Sequence, residues 1–248
     1  MKAILFDLDE TLILDEAVSH EAFRAAAALA EPLGLKSAAL AESAGRIARK
    51  LWQAGPAYEY CLRIGHSAWE GLWAEYDRGD HPLIAILREW APGYQIAVWQ
   101  QALAEVGGAP EASTGGGGAL PAAMAARFKE ARRSYPLYPE IPELLTSLKA
   151  RGYKLGIVTN GVPDLQRRKL DGCGLLPLFD AAVASGEIDC GKPDPGIFHH
   201  ICTQLGVQPA ACVMVGDNPE RDVAGAMAAG MAAVWVSRNG RPRDERFP

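Results

Sequence analysis

The stretch Ala3-Ile4-Leu5-Phe6-Asp7-Leu8-Asp9-Glu10-Thr11-Leu12 decides the fold of this 248-residue chain. Four apolar residues run without interruption and then stop at an acid. An unbroken run of this length, rather than an alternating one, fits a strand covered on both faces. Two later stretches have the same form. Lys154-Leu155-Gly156-Ile157-Val158 ends at Thr159-Asn160-Gly161, and Cys212-Val213-Met214-Val215 ends at Gly216-Asp217-Asn218. Residues 181–184 and 233–236 are shorter runs of the same kind. Helical patterns fall between them, over 141–151, 163–170, 195–205 and 220–229, with Gly152, Gly206 and Gly230 as stops. Strands alternating with helices predict an α/β fold, a doubly wound parallel sheet of Rossmann-like form.

Residues 15–136 interrupt this alternation. They are rich in alanine, contain no apolar strand run, and read as mostly helical. Five of the six tryptophans (Trp52, Trp69, Trp73, Trp90 and Trp99) lie there, most simply as the core of a separate helical domain. The expected organisation is an α/β core domain from residues 1–14 and 137–248, with a helical domain inserted over 15–136. Within the insertion, residues 107–118 end in four consecutive glycines and read as a flexible surface loop.

Composition removes several function classes. With 49% hydrophobic and 22% charged residues, the chain is neither disordered nor a coiled coil. A net charge of −5 gives no broad attraction to nucleic acid or to an anionic membrane. The N-terminal apolar run is too short for a signal peptide, and no stretch is long enough for a membrane span. A soluble, cytoplasmic protein is expected. The five cysteines form no C-x-x-C pair and are odd in number, which points to free thiols rather than a disulfide framework or a zinc ribbon.

In open α/β sheets, ligands bind beyond the carboxyl ends of the strands. Polar residues gather at those ends here: Asp7, Asp9 and Thr11 after the first strand, Thr159 and Asn160 after the second, Asp217 and Asp222 after a third. Lys192 lies in the loop Cys190-Gly191-Lys192-Pro193-Asp194 that leads into a helix, for which Asp194 reads as the N-cap. Several acids converging on one point cannot all ionise unpaired, and a divalent cation relieves the repulsion. An all-oxygen ligand set suits Mg²⁺, which commonly binds together with a substrate phosphate. Cation, lysine and hydroxyl together describe a phosphoryl site.

At these residues the chain resembles the haloacid dehalogenase (HAD) superfamily. Phe6-Asp7-Leu8-Asp9-Glu10-Thr11-Leu12 is similar to its first motif, Thr159 after its strand to the second, Gly191-Lys192-Pro193-Asp194-Pro195 to the third, and Gly216-Asp217-Asn218-Pro219-Glu220-Arg221-Asp222 to the fourth. The four occur in the expected order, each at a strand or loop end, and such context is what makes a motif specific. The core resembles most the subgroup of N-acylneuraminate-9-phosphatases and related sugar-phosphate and nucleotide phosphatases, through Thr159-Asn160-Gly161 and residues 207–217 and 230–240. Glu10 departs from the small residue usual at its position.

The resemblance implies a mechanism. Asp7 attacks phosphorus to form an aspartyl-phosphate. Asp9 protonates the leaving oxygen and then deprotonates the attacking water. Asp7, Asp217 and the backbone carbonyl of Asp9 hold Mg²⁺. Thr159, Asn160 and Gly161 bind substrate oxygens, Lys192 neutralises phosphate and Asp7, and Thr11 and Asp222 support the site from behind. The insertion corresponds to a C1-type helical cap, which closes over the site and selects small substrates.

Asp9 discriminates among activities. A halide leaving group needs no proton, so this second acid argues for a phosphomonoester substrate, a sugar phosphate or nucleotide by the subgroup likeness. A phosphonatase would need a cap lysine as an imine former, and Lys36, Lys50 and Lys129 sit in no such pattern. A phosphomutase would use the same core residues and is separated only by its product. A non-catalytic binding protein on this fold would be expected to lack Asp7 or Asp9.

Overall fold

The computed structural model describes residues 1–107 and 119–238, so all of the glycine-rich stretch except Gly107 lies outside the described residues. The chain divides into two compact units. One comprises Met1–Asp15, Arg63–Gly65 and Tyr135–Pro248, the other Glu16–Leu62 and His66–Ser134.

The first unit is built on a five-stranded parallel sheet, in the order β3-β2-β1-β4-β5. The strands are β1 (Ala3–Phe6), β2 (Lys154–Thr159), β3 (Ala181–Ala184), β4 (Cys212–Gly216) and β5 (Ala232–Trp235). Parallel strands need crossover connections, and helices on both faces supply them. Alternation along β1 sends Ala3 and Leu5 to one face and Ile4 and Phe6 to the other, and each pair enters a different buried cluster. Ala3 and Leu5 pack with Ile197, Phe198 and Ile201 of the helix Pro195–Leu205. Ile4 and Phe6 pack with Ile141 and Leu145 of the helix Ile141–Ala150 and with Leu170 of the helix Pro163–Gly172. This explains why the central strands read as unbroken apolar runs.

The helix Pro195–Leu205 has its cap where the sequence places it. Asp194 accepts a hydrogen bond from the Gly196 backbone N–H at 2.7 Å, and Gly206 ends the helix in a left-handed conformation. The segment expected as one helix over 220–229 differs. It is a π-helical turn, Pro219–Ala224, followed by a short α-helix, Gly225–Ala228. The Asn218 side chain accepts from the Glu220 and Arg221 N–H groups, while its carbonyl accepts from both Asp222 and Val223. This double acceptance widens the first turn.

The second unit is helical, with α1 (Glu16–Ala27), α2 (Ser37–Gln53), the long α5 (Pro82–Glu105) and α6 (Ala119–Ala131) as its main elements; the short helices Tyr58–Ile64, five of whose residues cluster here, and Ala68–Gly71 are α3 and α4. Trp52, Trp73 and Trp99 are buried in it. Phe23 packs edge-on against Trp69 and Phe128, and Trp90 stacks on Tyr94. All five cysteines are free; Cys61, Cys202 and Cys212 are buried, Cys173 and Cys190 half-buried. Among the described residues, no helix is long and apolar enough to cross a membrane.

Gly156, in the middle of β2, has no room for a side chain. A Cβ there would stand 2.7 Å from Leu5 Cδ2 and 3.2 Å from Leu205 Cδ1. Gly156→Val is therefore expected to lower unfolding free energy by about 1–3 kcal/mol through overpacking, read as a lower midpoint in urea denaturation.

Candidate active site

The sheet register places the candidate residues side by side. Phe6 pairs with Ile157 on one side and Val215 on the other, so Asp7, Thr159 and Asp217 all follow within two residues of one level of the sheet. The Asp7 N–H continues the ladder by donating to Val215 O at 2.9 Å. The π-helical turn after β4 then brings Asp222 back. Its carboxylate accepts from the Asn218 N–H at 2.9 Å and lies against Gly216, where a Cβ would stand 2.3 Å from Asp222 Cγ. Only glycine at 216 allows this approach.

Lys192 reaches the same point from its loop. Its ammonium donates to Asp7 Oδ1 at 2.6 Å and lies 2.7 Å from Asp222 Oδ1. The loop is clamped by Asn160, whose amide donates to Lys192 O at 2.9 Å and whose Oδ1 accepts from the Lys192 N–H at 2.8 Å. Asn160, expected to face substrate, thus uses its amide on the lysine backbone. The Gly161 N–H, expected to face phosphate, donates to Ser185 Oγ at 2.8 Å. The Thr159 hydroxyl donates to Gln166 Oε1 at 3.0 Å. The Thr11 hydroxyl is buried and has no hydrogen-bond partner among the described residues.

Asp7, Asp217 and Asp222 each offer one carboxylate oxygen within 4.8 Å of the others. Three carboxylates share one lysine, and their protonation reflects it. Burial pushes the Asp7 carboxyl well above the usual range, against the pull of Lys192, and Asp222, Asp217 and Asp9 add to the rise. Burial and then the charge of Asp222 carry Asp217 from 3.8 to about 6. For Lys192, burial acts downward but is outweighed by Asp222 and Asp7, which hold it at about 12. All three directions follow from a pocket short of positive charge. Hard oxygen donors with excess negative charge fit a divalent cation such as Mg²⁺.

Asp9 stands apart from this cluster. Both its oxygens accept from Lys169, at 2.9 and 2.8 Å, and Lys169 also lies 3.3 Å from Asp15. Glu10 adopts a left-handed backbone, φ 57°. Its carboxylate accepts from the Asp15 N–H at 2.7 Å and from the Tyr138 hydroxyl at 3.1 Å. The unusual residue at position 10 thus ties down the turn that follows Asp7. Sequence reasoning alone misses Gln166, Lys169 and Ser185. Gln166 and Lys169 are three apart, hence on one face of the helix Pro163–Gly172, and that spacing is the only signal the sequence offers for them. Ser185 donates to Ile64 O at 2.5 Å, a contact that no local pattern announces.

A model of the haloacid dehalogenase-like hydrolases matches residues 1–230. Phosphoserine phosphatase of Thermus thermophilus is 43% identical over 246 residues, covering 98% of this chain and 92% of that one. N-acylneuraminate-9-phosphatase of Mus musculus is 43% identical over 106 residues, 42% of each chain. The crystal structure of a HAD phosphatase from Thermococcus onnurineus superposes with a TM-score of 0.55 at 28% identity, covering the whole of this chain and 91% of that one.

The raised Asp217 sets a pH dependence of stability. A carboxyl whose folded value exceeds its unfolded one contributes stability that is complete below the unfolded value and is lost as pH rises through the folded one. In the presence of a chelator, the melting temperature is expected to lose this contribution between about pH 4 and pH 6, the range set by the shift from 3.8 to about 6. Asp217→Asn should flatten that part of the profile, as thermal melts across pH would show.

Proposed function

The chain belongs to the haloacid dehalogenase-like hydrolases, and we propose that within this family it hydrolyses a small phosphomonoester through an aspartyl-phosphate on Asp7. The observation that carries this reading is the buried Asp7 carboxylate, fixed by Lys192, with a second acid, Asp9, two residues further along the same turn. A nucleophile held by a cation is suited to attack on a phosphate ester, and a second acid is of use only when the leaving group needs a proton.

Each residue has a definite task. An Asp7 oxygen attacks phosphorus as the ester P–O bond breaks, and Asp9 gives the departing alkoxide its proton. Water then attacks the aspartyl-phosphate and passes a proton to Asp9. The bond between phosphorus and the Asp7 oxygen breaks, which frees phosphate and restores the carboxylate. Lys192 holds the plane of Asp7 and offsets the charge of the arriving phosphoryl group. Thr159 Oγ1, held by Gln166, and the neighbouring backbone line the phosphate side. Asp7, Asp217 and the Asp9 carbonyl would hold Mg²⁺, with Asp222 behind them. When bound, that ion would screen anion from anion and stabilise charge on the phosphoryl oxygens.

For the substrate we favour O-phosphoserine or a close amino-acid phosphate. The similarity to phosphoserine phosphatase runs over nearly the whole chain and so includes the helical unit. Likeness to the N-acylneuraminate-9-phosphatase, behind the expectation of a sugar phosphate, extends over less than half the chain. Selectivity lies outside the shared core motifs, so the longer match has more weight.

The test is phosphate release from a panel holding O-phospho-L-serine, sugar phosphates, nucleotides and p-nitrophenyl phosphate. Release should require Mg²⁺, fall by about 10³-fold or more in Asp7→Asn, and fall by roughly 10²–10⁴-fold in Asp9→Asn with alkyl esters. Retained activity in Asp7→Asn would overturn the aspartyl-phosphate. Transfer of phosphate to a second position on the substrate, with no free phosphate, would identify a mutase.

A further inference from the structure

Lys169 is fully buried, yet it occupies no place in the reaction just described. An ammonium removed from water is costly unless carboxylates surround it. Here two do. Asp9 accepts through both oxygens, at 2.9 and 2.8 Å, and Asp15 lies 3.3 Å away. The two carboxylates are 28% and 17% exposed. The lysine is therefore the immobile member of the group, and the acids are held to it.

Its place on the fold is also defined. Lys169 lies in the last turn of the helix Pro163–Gly172, one turn beyond Gln166. That helix follows directly on the loop after β2, so a single face of it reaches two parts of the site: Gln166 holds Thr159 and Lys169 holds Asp9. Asp15 joins the lysine to the point where the chain leaves the first unit, and Glu10 fixes Asp15 from the other side through its N–H.

From this geometry we propose that Lys169 is a positioning residue for Asp9. It holds the short carboxylate in one orientation, so that one oxygen is presented to the leaving group when substrate is bound. The inference rests on the reading of Asp9 as the group that protonates that oxygen. Without the ammonium, Asp9 loses the donor that both its oxygens share, and with it the orientation that donor fixes.

The experiment separates positioning from folding by using a ratio. The quantity kcat/KM covers the steps up to leaving-group departure, so a misplaced Asp9 must slow a poor leaving group more than a good one. We would measure kcat/KM for the fastest alkyl ester of the panel, O-phospho-L-serine on the reading above, and for p-nitrophenyl phosphate. Lys169→Met is expected to lower the alkyl-to-aryl ratio by about tenfold or more, part of the range open to a general acid. Loss of folded protein lowers both rates alike and leaves the ratio unchanged. Should Lys169→Met not fold, Lys169→Gln, which keeps a donor to one oxygen, is expected to lower the ratio by a smaller factor. An unchanged ratio, or equal loss with both esters, overturns the role of Lys169. Asp9→Asn tells the two ideas apart. A normal drop there with an unchanged ratio at Lys169 sinks only the positioning role, whereas no drop there sinks the reading of Asp9 itself.

Discussion

The Lys192 ammonium, buried between Asp7 at 2.6 Å and Asp222 at 2.7 Å, is the contact on which the arrangement of the site depends. Three acids lie within one small volume, and without a cation they would repel each other apart or remain protonated. The features nearby hold that lysine or the acids around it. Asn160 grips its backbone on both sides, and the register of β1 with β4 brings Asp7 level with the approach to Asp217. The π-helical turn after Asn218 returns Asp222 to the same point, and Gly216 leaves it room. The two apolar faces fix the register of the sheet, and that register sets the spacing of the charged groups at its end.

A second set of contacts governs the turn that follows Asp7. Glu10 bridges Asp15 and Tyr138, and Arg238 lies over the Tyr138 ring at 3.8 Å while donating to Thr11 O at 2.9 Å. Arg238 also pairs with Glu140. Residues far apart in sequence thus close on one short loop. A left-handed, non-glycine residue is strained, and such strain persists only where the surroundings over-determine it. Here the two carboxylate bonds of Glu10 supply that determination.

Much of this arrangement is legible in the order of the residues. A strand buried on both faces must read as an apolar run, and polar residues where such a run stops mark the end where ligands collect. Those two facts suffice for β1, β2 and β4 and for Asp7, Thr159 and Asp217. Lys192 and Asp222 are legible from their motifs, with no local pattern to place them. What stays hidden shares a physical cause. Lys169 and Gln166 are fully buried in a helix that also carries the half-buried Arg167 and Arg168, and a polar residue that faces inward looks the same in sequence as one nearer water. The π-helical turn is hidden because it depends on Asn218 accepting two backbone donors at once, which composition does not report. Asn160 and Gly161 are legible as important, but their hydrogen bonds go to Lys192 and Ser185 rather than outward.

Two lysines divide the two acids of the first motif, and this division bears on the proposed reaction. Asp7 and Asp9 are two residues apart, close enough that one cation between them would level their environments. Instead Lys192 serves Asp7 from the loop before the helix Pro195–Leu205, and Lys169 serves Asp9 from the helix Pro163–Gly172. Asp7 is buried in a cluster of like charges, whereas Asp9 is partly open and pairs with Lys169, which it shares with Asp15. An attacking carboxylate has to be fixed and shielded from water. One that moves protons has to meet both a leaving group and a water molecule. Separate partners on separate elements let one short turn hold both conditions, which a single shared cation could not.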